Sequence, residues 1–423
     1  MGNTVGIVGG GAAGMTAAVR AAGLGARVTL LEGNDRPGRK ILSTGNGKCN
    51  LGNEKLDAGE YYTACPAVLE GFLERFKTND TIAFFRDMGL MVKSRNGYLY
   101  PACEQASAVL DVFRYALASA GVNVVTGCKA EEIRVSRGLA SVRGGGRSFG
   151  FDRVILACGG MAAPRMGSDG SGFDLARQLG HTLVPTVPAL VQLRCKEAYF
   201  KSVAGVRADA SLEVYRQGKR VARERGELQL TEYGISGIPV FQLSRVVNYI
   251  LAGPAEEAEI VIDFLPDYTK EDYGRLAADR DFLRKGRTVE EFFTGMLHKK
   301  LMLLFIKLAG LKPGEDAGAA DPEKLRMVYG FCRNWRVHAV GSNPYDSAQV
   351  CAGGVPLDEV TRDLESKLVP GVYFAGEILD VDGRCGGYNL HWAWCSGHVA
   401  GTAAAAGRGN GVPGGGPGKG RGN

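Results

Sequence analysis

The stretch Val5–Glu32 constrains this chain more than any other. A short apolar run (Val5–Val8) enters a G-x-G-x-x-G turn made by Gly9, Gly11 and Gly14. An Ala-rich amphipathic run continues to Gly25, and Arg27–Leu31 then leads to Glu32. The pattern predicts strand, tight turn, helix and second strand, the opening unit of a doubly wound α/β fold that grips a dinucleotide. Each residue type has a physical task there. Gly9 permits the turn, Gly11 lets backbone N–H groups approach a pyrophosphate, and Gly14 lets helix and strand pack closely. Glu32 is placed to accept hydrogen bonds from a ribose 2′-hydroxyl, and an acid there disfavours the 2′-phosphate of NADP.

The chain has 423 residues, enough for two or three domains with cores of their own. No apolar run approaches the roughly 18 residues of a membrane span; Leu301–Ile306 is the densest. The sequence moves straight into the first strand without a charged n-region, so a cytoplasmic location is expected. The net charge of +6, part of it in Arg408, Lys419 and Arg421, suits anionic cofactors and substrates without marking nucleic-acid binding. The ten cysteines form no C-x-x-C and no Cys/His ligand spacing. They are expected to be reduced, with no metal site.

After Glu32, Asn34–Lys40 reads as a polar turn. Ser43, Gly45, Asn46, Cys49 and Asn50 belong to a run of small residues, suited to backbone lying flat against a planar ring or a phosphate, or equally to a surface loop. Residues 66–92 read as helical, broken at Thr78-Asn79-Asp80, and Ser107–Ala120 as a helix closed by Gly121. Leu139–Val142 and Phe149–Phe151 form a hairpin pattern. Arg153–Gly160 is a buried strand ending in Gly159-Gly160, a second place where backbone can approach a cofactor. Gly167–Gly172 lacks the lysine of a P-loop and is not read as a nucleoside triphosphate site.

From Pro188 the pattern changes to half-exposed antiparallel strands over Leu190–Leu193, Ala210–Tyr215 and Arg220–Leu230, with Ile260–Leu265 as a further strand. Ile235–Leu251 is predicted helical. A helical block follows, with Thr288 and Glu291 as a capping box and Asp321-Pro322 as an N-cap and N1 proline. Trp335–Val340 returns to strand. The expected division is therefore a discontinuous nucleotide-binding domain (1–188 and 346–405), an inserted β-barrel-like domain (189–265 and 330–345), a helical subdomain (266–329) and a disordered Gly-rich tail (406–423). Gly371–Glu377 is an apolar strand ending in Gly376-Glu377, and a helix runs to Ala405. That arrangement suits a flavin: the acid can bond a ribityl hydroxyl, and the glycines and helix N-terminus can face the pyrimidine edge.

Gly38-Arg39-Lys40 with Ser43–Asn50, Ala157–Gly160, Thr231–Ser244, Ala348–Val355 and the closing Gly376-Glu377-x-Leu379-Asp380-x-x-Gly383-x-x-Gly386-Gly387-Tyr388-Asn389 resemble the BaiN-type NAD(P)/FAD-dependent oxidoreductases. These are also described as HI-type flavoproteins or aminoacetone-oxidase-like proteins. The resemblance spans residues 4–405. It implies a Rossmann-like FAD-binding domain of the glutathione-reductase type, interrupted by an inserted β-barrel with a helical subdomain. It places FAD contacts on the Gly9–Gly14 turn with Ala13, on Glu32, on Gly38, Arg39 and Lys40, and on the Ser43–Asn50 loop beside the isoalloxazine. Ala130 and Gly159 join them, and the late contacts fall on Gly376, Glu377, Asp380, Gly387 and Asn389. Glu232 stands where many relatives carry His, and Lys48 where they carry Arg.

The resemblance implies NAD(P)H-driven reduction of a conjugated C=C in an enone, such as a 3-oxo-Δ4 bile acid or steroid-like small molecule, with hydride passing through the flavin N5. One dinucleotide fingerprint is present and FAD takes it, so NAD(P)H is expected as a transient donor. Tyr388, His391 and Cys49, with Tyr100, are the candidate proton donors, each with packing or cofactor contact as its alternative. His338 and Cys158 read as structural. Three other functions stay open: an amine or aminoketone oxidase using oxygen, a non-catalytic flavin-binding protein, and a flavin-dependent tRNA-modifying or RNA-associated protein using the tail and Lys196, Lys201, Arg207, Lys219, Arg220, Arg223 and Arg225. Acids interleave with those bases, so a solvated face is expected rather than a nucleic-acid surface. Oligomeric state is open.

Overall fold

The computed structural model describes residues 3–255 and 257–406. The expectation of a disordered tail lies, beyond Ala406, outside the described residues. Five parallel strands form the central sheet in the order Val372–Phe374, Arg153–Leu156, Thr4–Val8, Arg27–Leu31 and Asn123–Val125. Thr4–Val8 is the middle strand, with Val5 opposite Arg153 on one side and Val28 on the other. Its Val5 and Ile7 have no exposure, as a strand covered on both faces requires. The last strand thus comes from the far end of the chain and docks on an edge of a sheet otherwise built from the first 156 residues. Between Asn123–Val125 and Arg153–Leu156 a three-stranded antiparallel meander (Ala130–Ser136, Leu139–Gly144, Arg147–Phe151) makes the crossover.

The chain leaves this unit through Val184–Ala189 and returns through Val350–Gly354, and these two segments pair antiparallel. What lies between closes on itself. Six antiparallel strands form a barrel: Leu193–Cys195, Gly234–Gly237, Lys219–Thr231, Arg207–Arg216, Ala258–Asp263 and Trp335–Ser342. Inward residues such as Leu212, Val214, Leu228, Leu230, Ile260 and Ile262 fill it, so the interior is a packed core and not a pore. Trp335, 1% exposed, stacks among Phe200, Phe264 and Phe305, tying the barrel to the helices Lys299–Leu308 and Pro322–Arg333. Barrel and helices share one apolar cluster, separate from that of the nucleotide-binding unit.

The predicted caps form. Thr288 accepts from the Glu291 N–H, Glu291 accepts from the Thr288 N–H at 2.8 Å, and Asp321 accepts from the Glu323 N–H at 2.9 Å. Two elements differ from expectation. Thr78-Asn79-Asp80 does more than interrupt a helix: it begins the second of two, Pro66–Leu73 and Thr78–Asp87, and Asp80 accepts from the Lys77 N–H at 2.7 Å. Ile235–Leu251 is not one helix. Gly234–Gly237 is a barrel strand, and the helix starts at Ile238 with Pro239 in its first turn. Gly237 sits at φ +103, where a Cβ would lie 2.2 Å from the Glu227 carbonyl oxygen, so glycine allows the strand to press against its neighbour before turning into the helix.

Candidate functional site

A cleft of about 760 Å3 opens at the carboxyl ends of the parallel strands, where Val8, Leu31, Ala157 and Ala375 end their strands or follow them. This is where open α/β sheets bind ligands. The glycine turn forms its floor. Gly9 adopts φ +102, and a Cβ there would lie 2.5 Å from the Ala157 carbonyl oxygen; one on Gly14 would lie 1.9 Å from the Gly9 oxygen. A Cβ on Gly11 would meet nothing within 4 Å, because Gly11 faces the open cleft. The helix Ala12–Gly23 starts there with no side-chain cap and no acid in its first turn, leaving N–H groups and the positive end of the dipole for an anion. Ala13 lines the same floor.

Glu32 is 7% exposed and lines the cleft at the end of its strand. Its Oε2 accepts from the Gly10 N–H at 2.8 Å; its Oε1 accepts from the Asn34 N–H and the Asn34 side-chain amide, both at 2.7 Å. The carboxylate therefore braces the turn while its edge stays on the cleft. Gly38 at φ +78 donates to the Gly10 oxygen at 2.8 Å, and Arg39 donates to Asn34 Oδ1 at 3.0 Å. Lys40 and Glu377, both expected as cofactor contacts, line the cleft as an ion pair at 2.8 Å, with Glu377 also accepting from the Cys351 N–H at 2.7 Å.

The Ser43–Asn50 loop brings Ser43, Gly45, Asn46 and Asn50 to the cleft, opposite Ala130 and Gly159. Gly376 and Gly387 line the facing wall. Gly387 caps the closing helix Tyr388–Ala405 at φ +94, again with no side-chain cap and no acid in the first turn. Asn389 accepts from the Gly383 N–H at 2.8 Å and donates to the Gly383 oxygen at 2.7 Å, fixing the turn that carries these glycines. An anion floor, a buried acid, an ion pair and a second open helix N-terminus all line a single cleft. This donor set fits FAD.

Five expected site residues do not line the cleft: Gly14, which packs against the Gly9 oxygen behind the turn, and Cys49, Asp380, Tyr388 and His391. Cys49 has no exposure, sits at φ +60, and burial pushes its thiol up to about 12, so it is an inert packed cysteine. Asp380 is 1% exposed and accepts from the Ala64 N–H at 2.9 Å instead of lining the cleft. Tyr388 and His391 occupy the face of the closing helix turned away from Asn389, Leu390 and Ala393, which line the cleft. Tyr388 donates to the Lys55 oxygen at 3.2 Å. His391 lies between the Thr81 hydroxyl and the Phe76 carbonyl, 3.1 Å from each. Tyr100 does line the cleft, as does Cys158. His338 lies on a barrel strand with Nδ1 2.9 Å from Glu197.

His391 carries a pH dependence of its own. Burial pushes its pKa down to about 4, offset only in part by the Phe76 carbonyl and by Asp80. The unfolded chain binds that proton near pH 6.5. The stability this residue contributes is therefore complete above pH 6.5 and falls as pH drops toward 4, by about 3 kcal/mol. His398, on the same helix and 4.9 Å from the Phe76 ring, is shifted the same way. His391→Asn is expected to flatten the fall in thermal unfolding temperature over that window, and the double variant with His398→Asn more so. An unchanged slope in the double variant would refute the assignment.

Sequence reasoning missed the contacts that join the two units. Arg384, at the rim of the cleft, makes a bidentate pair with Glu224 on the barrel strand Lys219–Thr231, at 2.6 and 2.7 Å, and a further ion pair with Glu60 at 3.1 Å. Arg245 on the inserted helix donates to buried Asp382 at 3.0 Å and lies between the rings of Tyr62 and Tyr249. Burial pushes Asp382 up to about 7, with Arg245 pulling it back. The insertion also supplies Leu190 and Ile238 to the cleft wall, beside Val350 on the returning strand. Its basic side chains are largely paired: Lys196 with Glu257, Arg207 with Glu227, Arg220 with Glu213, and Arg225 with Asp209 and Asp267. Among the described residues no helix is long and apolar enough to cross a membrane.

A family model described as the HI0933-like protein Rossmann domain matches residues 3–403. Over 408 residues the chain is 43% identical to a 3-dehydro-bile acid delta(4,6)-reductase of Clostridium scindens, covering 95% of this chain and 99% of that protein. It is 29% identical over 397 residues to a ribosomal RNA dihydrouridine synthase of Escherichia coli, covering 92% and 95%. A ribosomal RNA dihydrouridine synthase of Haemophilus influenzae is 28% identical over 402 residues, covering 93% and 96%.

Proposed function

The chain belongs to the HI0933-like Rossmann family, and we propose that it is an FAD-dependent reductase of a carbon–carbon double bond conjugated to a ketone, with NAD(P)H as donor and a 3-oxo steroid acid as the substrate class. The observation that carries this reading is the 43% identity to a bile acid delta(4,6)-reductase across nearly both whole chains. The cleft is chemically suited to it. When bound, FAD supplies the two-electron chemistry that moves hydride from a nicotinamide to an electron-poor carbon.

The chain's own residues do the rest. Gly9–Ala13 and the first helix N-terminus would hold the pyrophosphate, and Glu32 would orient the adenosine ribose. The closing helix N-terminus gives its wall of the cleft a partial positive charge, which would favour an anionic form of the bound ring. Leu190, Ile238 and Val350 offer an apolar wall that excludes water and matches a flat hydrocarbon ring. Tyr100 replaces Tyr388, His391 and Cys49 as the proton donor. Burial pushes its phenol above the ordinary value, against a partial pull from Lys48 and Arg95, so its Oη keeps a proton at neutral pH for the α-carbon.

The test is anaerobic stopped-flow absorbance of the purified flavoprotein. Addition of NADH or NADPH is expected to bleach the flavin band, and a 3-oxo-Δ4 steroid acid to restore it. Tyr100→Phe is expected to slow that recovery roughly 10²- to 10³-fold while leaving the bleaching step within a factor of about 2. Recovery with oxygen alone would replace the reductase reading by an oxidase. The dihydrouridine synthase relatives support a second reading, because dihydrouridine also arises by saturating a ring C=C conjugated to a carbonyl. Recovery with ribosomal RNA and not with the steroid acid would select it.

A further inference from the structure

Tyr100 borders two cavities. Besides the main cleft it lines an adjoining cavity of about 250 Å3 whose other walls are Lys48, Arg95, Asn96, Tyr98 and Glu104. Three local features build it. The hairpin Val92–Arg95 and Tyr98–Pro101 turns at Asn96-Gly97, both in the left-handed region at φ +53 and +83, and so presents Arg95 and Tyr98 at the hairpin tip. The loop that passes along the main cleft through Gly45 and Asn46 continues to Lys48. Glu104 then gathers the cations: Lys48 and Lys93 each at 2.7 Å and Arg95 at 4.0 Å.

The charge count matters here. Of the three cations on this carboxylate, Lys48 and Arg95 line the cavity with Glu104 and leave a surplus of one positive charge in its wall, while Lys93 pairs with Glu104 from outside the lining. Glu104 organises the cations without cancelling them, and its hydrogen bonds to Lys48 and Lys93 hold its carboxyl down at about 2, so it is ionised throughout the physiological range. Lys48 and Arg95 both line the cavity. An arginine fork beside a lysine is a carboxylate-recognition pair. None of these residues belongs to the dinucleotide fingerprint, and Lys48 and Arg95 enter the chemistry above only through their partial pull on the Tyr100 phenol.

We propose that this cavity is an anion subsite that takes the carboxylate at the far end of an amphipathic small-molecule substrate whose reacting ring lies in the main cleft beside Tyr100. The proposal rests on the enone-reductase reading and names the feature that sorts its substrates: an acid is preferred over its neutral ester. A nicotinamide dinucleotide also carries anionic groups, and the experiment separates the two sources.

The full-length flavoprotein and its Arg95→Met variant are compared with a 3-oxo-Δ4 steroid acid, its methyl ester, and NADH or NADPH. Arg95 is chosen because it is the most loosely tied of the three cations. In the wild type the acid is expected to have a KM about tenfold below that of the ester, and that gap is expected to shrink as salt rises. Arg95→Met is expected to raise the KM of the acid about tenfold and to leave that of the ester within a factor of about 2. Equal effects on acid and ester, or an effect confined to flavin reduction by the nicotinamide, would overturn the proposal. Calorimetric binding of the saturated 3-oxo steroid acid needs no turnover and decides the subsite by itself. Tight binding in the wild type weakened about tenfold in Arg95→Met supports it even where neither enone is reduced, an outcome that would sink only the reductase reading. Binding that is the same in both proteins overturns the subsite.

Discussion

Gly397→Val is expected to leave no folded flavoprotein. The closing helix lies against the first helix, Ala12–Gly23, backbone to backbone. A Cβ at Gly397 would fall 2.4 Å from the Ala13 oxygen and 3.0 Å from the Thr16 Cβ; one at Gly401 would fall 2.6 Å from the Ala17 oxygen. The two carbonyl oxygens are helix backbone and the Thr16 Cβ is fixed to it, so none of them can swing aside. Separating the helices would pull Ser396 from the Gly376 N–H, now 2.8 Å away, and Trp392 from the Gly376 oxygen at 3.2 Å. It would also displace Ala13 in the cleft floor. Overpacking of this kind costs about 1–3 kcal/mol for a few added atoms against side chains, and more against backbone, out of a total stability of about 5–15 kcal/mol. Soluble yield, flavin content and thermal unfolding measure the outcome. Gly71→Ala is the control: it lies exposed in the helix Pro66–Leu73 with nothing within 4 Å of an added Cβ, and should stabilise by about 0.5–1 kcal/mol. A Gly397→Val protein that purifies yellow with an unchanged melting temperature would contradict the packing described.

Glu32→Ala is expected to yield a folded protein that purifies without its flavin. The carboxylate accepts three hydrogen bonds, from the Gly10 N–H and from both Asn34 donors, and these hold the glycine turn against the second strand. Bonds to a charged acceptor are worth about 1.5–3 kcal/mol each. Loss of the turn's brace together with the ribose contact should weaken FAD binding by roughly 10²- to 10³-fold. The core of the nucleotide-binding unit does not depend on this side chain, so circular dichroism should stay close to wild type. Titration of the apoprotein with FAD, followed by flavin fluorescence, measures the constant. Glu32→Gln keeps one acceptor oxygen, enough for the two Asn34 bonds but not for the Gly10 N–H, and should recover part of the affinity. A Glu32→Ala protein that retains FAD at the wild-type constant would refute the role of the acid.

The glycine turn was legible in the sequence because each glycine there answers a separate steric demand, and the structure shows each demand as a contact a Cβ would violate or a space it would enter. The helix caps at Thr288 and Asp321 were legible for the same reason: the donors they satisfy lie within three residues. Barrel alternation was readable wherever a strand has one wet face. The closing helix was not readable face by face. It is buried almost all round, with Tyr388, His391, Trp392 and Ala393 all buried, so no polar stripe distinguishes the cleft side from the packed side. That is why Tyr388 and His391 were placed in the cleft when Asn389, Leu390 and Ala393 line it. Gly234–Gly237 was hidden because a four-residue strand rich in glycine has no alternation to read. Arg384 was missed because its partner Glu224 is 160 positions away in the chain, and an isolated arginine between glycines carries no local signal.

The route of the chain through the nucleotide-binding unit has a consequence for its synthesis. The barrel unit draws all six of its strands from Leu193 to Ser342 and closes among them, so it has every partner it needs once that stretch has left the ribosome. The strands Thr4–Val8 and Arg27–Leu31 emerge much earlier, yet the sheet lacks its edge strand Val372–Phe374 and the first helix lacks its neighbour Tyr388–Ala405 until the segments that follow the barrel have emerged. A nascent chain therefore carries an uncovered apolar sheet past a finished barrel, which is the interval in which holdase chaperones have most to bind. The cofactor site is completed only after the barrel, from segments on either side of it in the chain, so flavin capture follows barrel closure. The unit that is begun first is finished after the one inserted into it.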